Sequence, residues 1–402
     1  MDPLFDKAQT YLHHLCVALP GRSVGSDGNR AAADFFARTA AGFGFEVETP
    51  AFACLAWTSS GARLTAGGEA FAVQASPYSP GVRAEAPLTV VDSVEALAAA
   101  DLAGRIALLR GEIAREPLLP KNFPFFTVEA HQRLLGLLEA KAPLALVAAT
   151  ARNPEMAGAR YPFPLIEDGD FDIPSVYMTD GEGQRLARHA GQMIAVEIQA
   201  QRAPAAACNV IARKGGDPAR RLVFCAHIDA KAGTPGAIDN AAGVVTLLLL
   251  AELLADYAGR LGIEIVAMNG EDDYANPGEQ DYLRRNAGRF GEIALGINLD
   301  GLGYRAGRTA FSLYGCAPET AAVIEASFSP YPGLAPGEPW FQGDHGLFLM
   351  NGRPALALTS ERAVELMTQV VHTAQDTPDL VDPARLSEAA RALNELARRL
   401  GA

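Results

Sequence analysis

Little in this chain marks a secreted, membrane-embedded or nucleic-acid-binding protein. Cysteine is scarce: Cys16, Cys54, Cys208, Cys225 and Cys316 make five, an odd number, scattered and without a CxxC pair. That argues against a disulfide framework and reads as free buried thiols. Basic charge is also short, with 34 Lys and Arg against 47 Asp and Glu and a net charge of −13. Nucleic acid and anionic membrane both need basic patches, so neither is expected as a partner. No apolar run approaches the ~20 residues of a membrane span. The most apolar, "VVTLLLLAELLADY", is interrupted by Glu252 and Asp256 and reads as a buried helix. The first residues, "MDPLFDKAQTYLHHLC", lack the basic head and apolar core of a secretory signal. The expectation is therefore cytoplasmic, or secreted if the chain is a processed form. Internal repeats and low-complexity tracts are missing as well.

What is present is apolar material in quantity. Of 402 residues, 49% are hydrophobic, enough for a large core. At roughly 150 residues per domain the length suggests two or three domains. Two helical stretches open the chain, "DPLFDKAQTYLHHLCVAL" and "NRAAADFFARTAAGF", the second capped by Ser26 or Asp27. From about residue 51 to 204 short β-like runs such as "EAPLTVVD", "GRIALLRG" and "PLALVAAT" alternate with turns. Helices are expected at "TVEAHQRLLGLLEAKA" and, starting from a capping Asp180, at "DGEGQRLARHAG". This is a compact β-rich insert. Its two histidines, His131 and His189, have no acidic partner at metal spacing. From about 205 onward apolar strands alternate with helical segments. The expected class is α/β, with a mostly parallel central sheet flanked by helices.

In an open α/β sheet, ligands gather beyond the carboxyl ends of the strands. Here those ends are polar. "LVFCA" runs into His227-Ile228-Asp229, "IEIVAMNG" into Glu271-Asp272-Asp273, and "LGINL" into Asp300-Gly301; the loop before "PALAL" carries Asp344-His345. Singly, each residue has a structural reading. His227 is then a satisfied histidine at a strand end, Asp239 an N-cap, Asp300 a turn residue, the 271–273 acids a solvated loop and His372 a surface histidine. Together they describe one site with a dense negative field. Carboxylates that share a dry pocket cost several kcal/mol each unless protonated or bound to a cation. The donor set is imidazole and carboxylate without thiolate, which suits zinc and also cobalt or manganese. Two metals need about five or six protein ligands, one of them bridging.

The ordered set "HIDAKAGTPGAIDNAAG", "NGEDDYANPGEQDYL", "INLDGLG", "GDHGLF" and "HTAQDT" resembles the co-catalytic dizinc aminopeptidase family. Bacterial leucyl aminopeptidase, aminopeptidase S and aminopeptidase Y belong to that family, and glutamate carboxypeptidase and glutaminyl cyclase are relatives. The resemblance implies the zinc-exopeptidase fold for 1–50 with 205–402, and a protease-associated-like domain for 51–204. It implies two zinc ions per chain, on His227, Asp239, Asp272, Asp300 and His372, with Asp239 bridging. It implies that Asp229 hydrogen-bonds the His227 imidazole, and that Glu271 takes a proton from the metal-bridging water and gives it to the leaving amine. Asp376 is expected to orient His372. Asp239, at a helix start, is expected to be favoured in its charged form by the helix dipole.

Two departures stand out. The usual Glu-Glu pair is Glu271-Asp272 here, and Trp340 stands where many members have a tyrosine before the Asp-His motif, leaving His345 as a substitute donor to the substrate carbonyl. The implied activity is removal of N-terminal residues from a peptide or small amide. Alternatives are a single-zinc, glutaminyl-cyclase-like acyltransferase, a carboxypeptidase or dipeptidase, and a catalytically silent binding homologue. A free amine requires a carboxylate at the cleft, for which Asp273, Glu279 and Asp344 are candidates. A terminal carboxylate requires a cation, for which Lys231 and Arg353 are candidates. Oligomeric state is not readable.

Overall fold

The computed structural model describes residues 2–19, 21–152 and 162–402. The chain divides into two compact units, Met1–Cys54 with Ala206–Ala402, and Leu55–Ala205.

The first unit is built on a sheet whose strands run in the order Glu46–Glu48, Val210–Lys214, Leu261–Met268, Asp217–His227, Ile293–Leu299, Ala355–Ser360, Thr309–Tyr314 and Leu334–Pro336. The four from Leu261–Met268 to Ala355–Ser360 are mutually parallel. Antiparallel pairings flank them, so the sheet is mixed at its margins and parallel in its middle. The parallel strands are near-continuous apolar runs, as burial on both faces demands: all of Leu261–Met268 is buried. Helix Ala242–Leu253 is buried throughout residues 242–251, consistent with a sequence that is apolar all round. It packs against Pro383–Leu400 and Pro3–His13. Ala389, Ala390, Leu393 and Ala397 from the C-terminal helix join the same core. Helix Asp27–Gly42 is capped by Ser26, whose hydroxyl accepts from Asn29 N at 3.1 Å.

The second unit carries its own sheet, in which Val82–Val91, Ile106–Leu109, Ala145–Thr150 and Ser175–Thr179 lie parallel and in that order. The long strands Ala51–Ala66 and Met193–Cys208 bring the chain in and out. The helix expected from a capping Asp180 spans Asp180–Leu186, and its cap is one residue earlier. Thr179 ends its strand with extended dihedrals and accepts from Glu182 N at 3.2 Å, which makes Asp180 the first helical residue. His131 Nδ1 accepts from Leu119 N at 3.0 Å, a local structural bond. No described helix is long and apolar enough to cross a membrane.

Candidate metal and catalytic site

The parallel register sets the site. His227 pairs with Met268 on one side, and Cys225 pairs with Asn298 on the other. His227, the turn after Met268 and Asp300 after Leu299 therefore emerge from the same edge of the sheet. His227 Nε2 lies 3.0 Å from Asp239 Oδ1 and 3.5 Å from Asp300 Oδ1. His372 Nε2 lies 3.0 Å from Asp239 Oδ2 and 2.8 Å from Asp272 Oδ1. The two oxygens of Asp239 thus face two different imidazoles. The residues form the triples His227–Asp239–Asp300 and Asp239–Asp272–His372, each with donor atoms within 4.8 Å, and a third triple joins His227, Asp229 and Asp272. Both nitrogens of His227 and Oδ2 of Asp272 are buried without a hydrogen-bond partner. These nitrogen and oxygen atoms are of the type and spacing that could hold a metal ion. His372 holds φ +58°, a left-handed conformation uncommon outside glycine.

Asp239 is not the helix N-cap. Residues Ala237–Ala241 form a π-type turn in which Asp239 has φ −119° and ψ 84°, and the regular helix begins only at Ala242. Capping falls to Asn240, whose Oδ1 accepts from Gly243 N at 3.1 Å while its Nδ2 donates to Leu299 O at 2.8 Å. The Asp239–Asn240 peptide bond is cis. The Asp239 carboxylate is turned to the imidazoles instead of the helix end, so the dipole argument does not carry its charge.

Asp229 also differs from expectation. Its Oδ1 lies 3.7 Å from His227 Nδ1, beyond hydrogen-bond length. The carboxylate instead accepts from Gly270 N at 2.7 Å and Asp272 N at 3.1 Å, so it holds the backbone of the turn that presents Glu271 and Asp272. Asp376 behaves alike: its oxygens accept from Ile238 N at 2.7 Å and Asp239 N at 3.0 Å, supporting the Asp239 turn. His345 is fully buried, with Nε2 donating to Trp340 O at 2.8 Å and Nδ1 3.5 Å from Asn298 Nδ2. Both ring nitrogens face protein, so it braces the Trp340 loop and is not poised to donate outward. Tyr314 Oη donates to the same carbonyl at 2.5 Å and accepts from Trp340 N at 2.7 Å. Arg353 donates through Nε to Ile293 O at 2.7 Å, at the start of the strand that ends before Asp300. At about 3.3 Å per residue that is some 20 Å from the site. Lys231 Nζ is at the site, donating to Asp272 O at 2.7 Å.

Asparagines that the sequence reading passed over complete the cradle. Asn29 and Asn269 exchange side-chain hydrogen bonds at 2.8 and 3.0 Å, and Asn209 accepts from Asn269 N at 3.0 Å and donates to Gly278 O at 2.8 Å. They lock the turn at Gly270, where φ is +113° and a Cβ would strike Pro277. The Asn-Gly pair at 269–270 was the one signal for it.

Buried charge dominates the electrostatics. Burial pushes the Glu271 carboxyl well above the usual range, and the charges of Asp300, Asp272 and Asp344 add to it. Glu279 and Asp344 face each other as a buried acid pair; burial raises both, Asp344 to about 7. Burial alone would lower His227 and His372. The facing carboxylates of Asp229, Asp239 and Asp300 hold His227 well above its ordinary value, and Asp272 and Asp239 raise His372 to about 10. Asp239, which burial would raise, is drawn far down by the two imidazoles. Without a cation, the surrounding carboxylates favour the protonated form of both imidazoles.

Residues 209–397 match the family model described as Peptidase family M28. The chain is 29% identical over 336 residues to a probable leucine aminopeptidase 2 of Aspergillus fumigatus, covering 78% of this chain and 63% of that protein. It thus spans less than two thirds of that relative's length. Among solved structures, an aminopeptidase from Aneurinibacillus sp. strain AM-1 superposes with a TM-score of 0.71 at 21% identity, covering 98% of this chain and 92% of that one. A zinc aminopeptidase from Bacillus subtilis gives 0.72 at 17%, covering 98% and 95%. At such identities these two structures establish the fold.

Proposed function

We propose that the chain, whose residues 209–397 match the model of peptidase family M28, is a zinc-dependent aminopeptidase acting on peptides with a free amino terminus. One observation carries the reading: Asp239 directs one oxygen to His227 and the other to His372, each at 3.0 Å. Five residues sharing one carboxylate would hold two ions, one by His227, Asp239 and Asp300 and the other by Asp239, Asp272 and His372. Imidazole and carboxylate without thiolate suits zinc, and also cobalt or manganese. Zinc bound there supplies Lewis acidity to the scissile carbonyl and makes water more acidic. Glu271 takes the proton of the attacking water and returns it to the leaving amine. Asp229 and Asp376 keep the Glu271–Asp272 turn and the Asp239 turn in place through their backbone amides. Of the two cations considered for a terminal carboxylate, Arg353 is held at Ile293 O, at the far end of the strand Ile293–Leu299, whereas Lys231 lies at the site with Nζ on Asp272 O, so the choice of chain end is left to the substrate assay. The second unit, Leu55–Ala205, is read as a protease-associated-like domain.

The test is elemental analysis of the purified chain with assays on aminoacyl-anilides and their N-acetylated forms. About two zinc ions per chain, with hydrolysis only of substrates bearing a free amine, is the expected result. One ion and no amide hydrolysis would move the assignment to acyl transfer of the glutaminyl-cyclase kind. No bound metal after zinc is supplied would leave a binding protein on a peptidase fold.

A further inference from the structure

Arg22 lies far from the candidate ligands in sequence, yet among the described residues it is the largest fully buried side chain, at 1% exposure. Among the described residues no carboxylate lies within ion-pair distance of it; burial raises the Asp376 carboxyl, which is near enough for the Arg22 charge to draw it partly back down. Its guanidinium donates to main-chain carbonyls instead: Nε to Ile228 O at 3.1 Å, Nη1 to Leu15 O at 2.7 Å and Pro235 O at 2.8 Å, and Nη2 to Gly236 O at 2.8 Å. Three of the four belong to residues 228–236, the stretch that joins His227 to Asp239. Gly236 takes φ +59° so that its carbonyl meets the fork. On the other side of Asp239's turn, Asp376 accepts the amides of Ile238 and Asp239. An arginine that donates to the loop's carbonyls and an aspartate that accepts from its amides grip the same segment from both sides.

A buried cation that turns its fork to carbonyls is an expensive way to hold a loop unless the loop's position matters. We propose that Arg22 is a positioning residue for the metal centre. It fixes residues 228–236 so that His227 and Asp239 face one another before an ion arrives, and so lowers the ordering cost of zinc binding. A lysine carries the charge but not the fork, and reaches fewer of these acceptors. This inference rests on the reading of His227 and Asp239 as zinc ligands.

The experiment uses the full chain and three variants: Arg22→Lys, Gly236→Ala and the double variant. Gly236→Ala disturbs the loop itself, because φ there is +59° and a Cβ would lie 2.6 Å from Asp239 O, 2.7 Å from Ala230 Cβ and 2.9 Å from Arg22 Nη2, so it serves as the reference for a displaced loop. Zinc affinity is measured by competition with a chromophoric chelator, and thermal unfolding is followed separately in excess chelator. Each single variant should lose roughly 10- to 100-fold in zinc affinity, the range for residues that orient metal ligands. The double variant should lose little beyond the worse single one, because both displace one loop. Zinc affinity at the wild-type level in the singles, however far the metal-free melting temperature falls, would overturn the proposal and leave Arg22 a purely structural residue. Fully additive losses would overturn it too. If Arg22→Lys does not fold, Arg22→Gln, which keeps a planar donor without the charge, is measured in its place. A wild type that fails to bind zinc removes the functional reading and this inference together; a wild type that binds, with variants that bind equally, removes only this one.

Discussion

The chain contains two sets of four parallel strands, and they end in different chemistry. In the first unit the carboxyl ends release His227, the turn bearing Glu271 and Asp272, and Asp300. In the second unit the strand ends release Asp92, Arg110, Ala151 and Asp180. Strand interiors are alike, with Ala145–Thr150 as completely buried as Leu261–Met268. A pocket of about 310 Å³ lined by Ala149, Ala151, Arg115, Arg152 and Asp180 sits at the second set's ends, yet among the described residues every metal-competent triple belongs to the first. Parallel sheets place loops at one edge, and the loops decide what that edge does.

Removing the shared ligand breaks the comparison most severely. Asp239→Ala should bind neither ion firmly and bring peptide hydrolysis to background, as read by elemental analysis and anilide assays. A variant that kept both ions and activity would show that the two triples do not share a centre. Glu271→Gln comes next. It should keep the wild-type metal content and lose about 10²- to 10⁴-fold in kcat, the usual contribution of a general base. Loss of metal as well would make Glu271 a ligand.

These effects follow from residues the sequence exposes, but the sequence is uneven in what it exposes. Periodic features were readable: apolar runs of strand length, the alternation with helices, and the α/β class. The polar strand ends were readable because a charged residue after a buried strand is conspicuous. What escaped is the direction in which each polar group points. Asp239 precedes a long apolar helix and reads as its cap, but Asn240 makes that bond. Asp229, two residues from His227, reads as its partner, but turns to the amides of Gly270 and Asp272. Asp376 reads as a companion of His372 and grips a turn more than a hundred residues earlier. Arg22 gave no signal, because its acceptors are carbonyls, and every residue has one.

Metal removal sharpens the contrast between the units. A ligand at 100 times its Kd stabilises by about 2.7 kcal/mol, so chelation should lower the unfolding transition of the first unit and leave the second unit's local stability unchanged. Leu146→Ala, a fully buried change in the second unit, should do the converse, costing about 2–5 kcal/mol there with zinc content intact. Hydrogen exchange, resolved by peptide, separates the two. Equal loss of protection in both units on chelation would show that they unfold as one.

The smallest effect concerns the acid pair Glu279–Asp344. Burial raises both carboxyls, Asp344 to about 7; Asp344 raises Glu279 further, while the hydrogen bond from Glu279 draws Asp344 partly back down. A group whose folded pKa lies above its unfolded value binds its proton more tightly when folded. Its stabilising contribution is complete below the unfolded carboxylate range near 4 and is lost as pH rises through the folded value. The metal-free protein should therefore lose stability between about pH 4 and pH 7, where most proteins with paired carboxylates gain it. Glu279→Gln places a neutral amide against Asp344, able to donate a hydrogen bond without titrating. It should flatten that part of the profile and leave the second unit's pH dependence unaltered. The comparison is made by denaturant unfolding in chelator at intervals across this range. A variant whose stability declines with pH as steeply as the wild type's would mean that this pair does not take up the proton behind the decline, and that other groups at the first unit's strand ends, His227 and His372 among them, account for it.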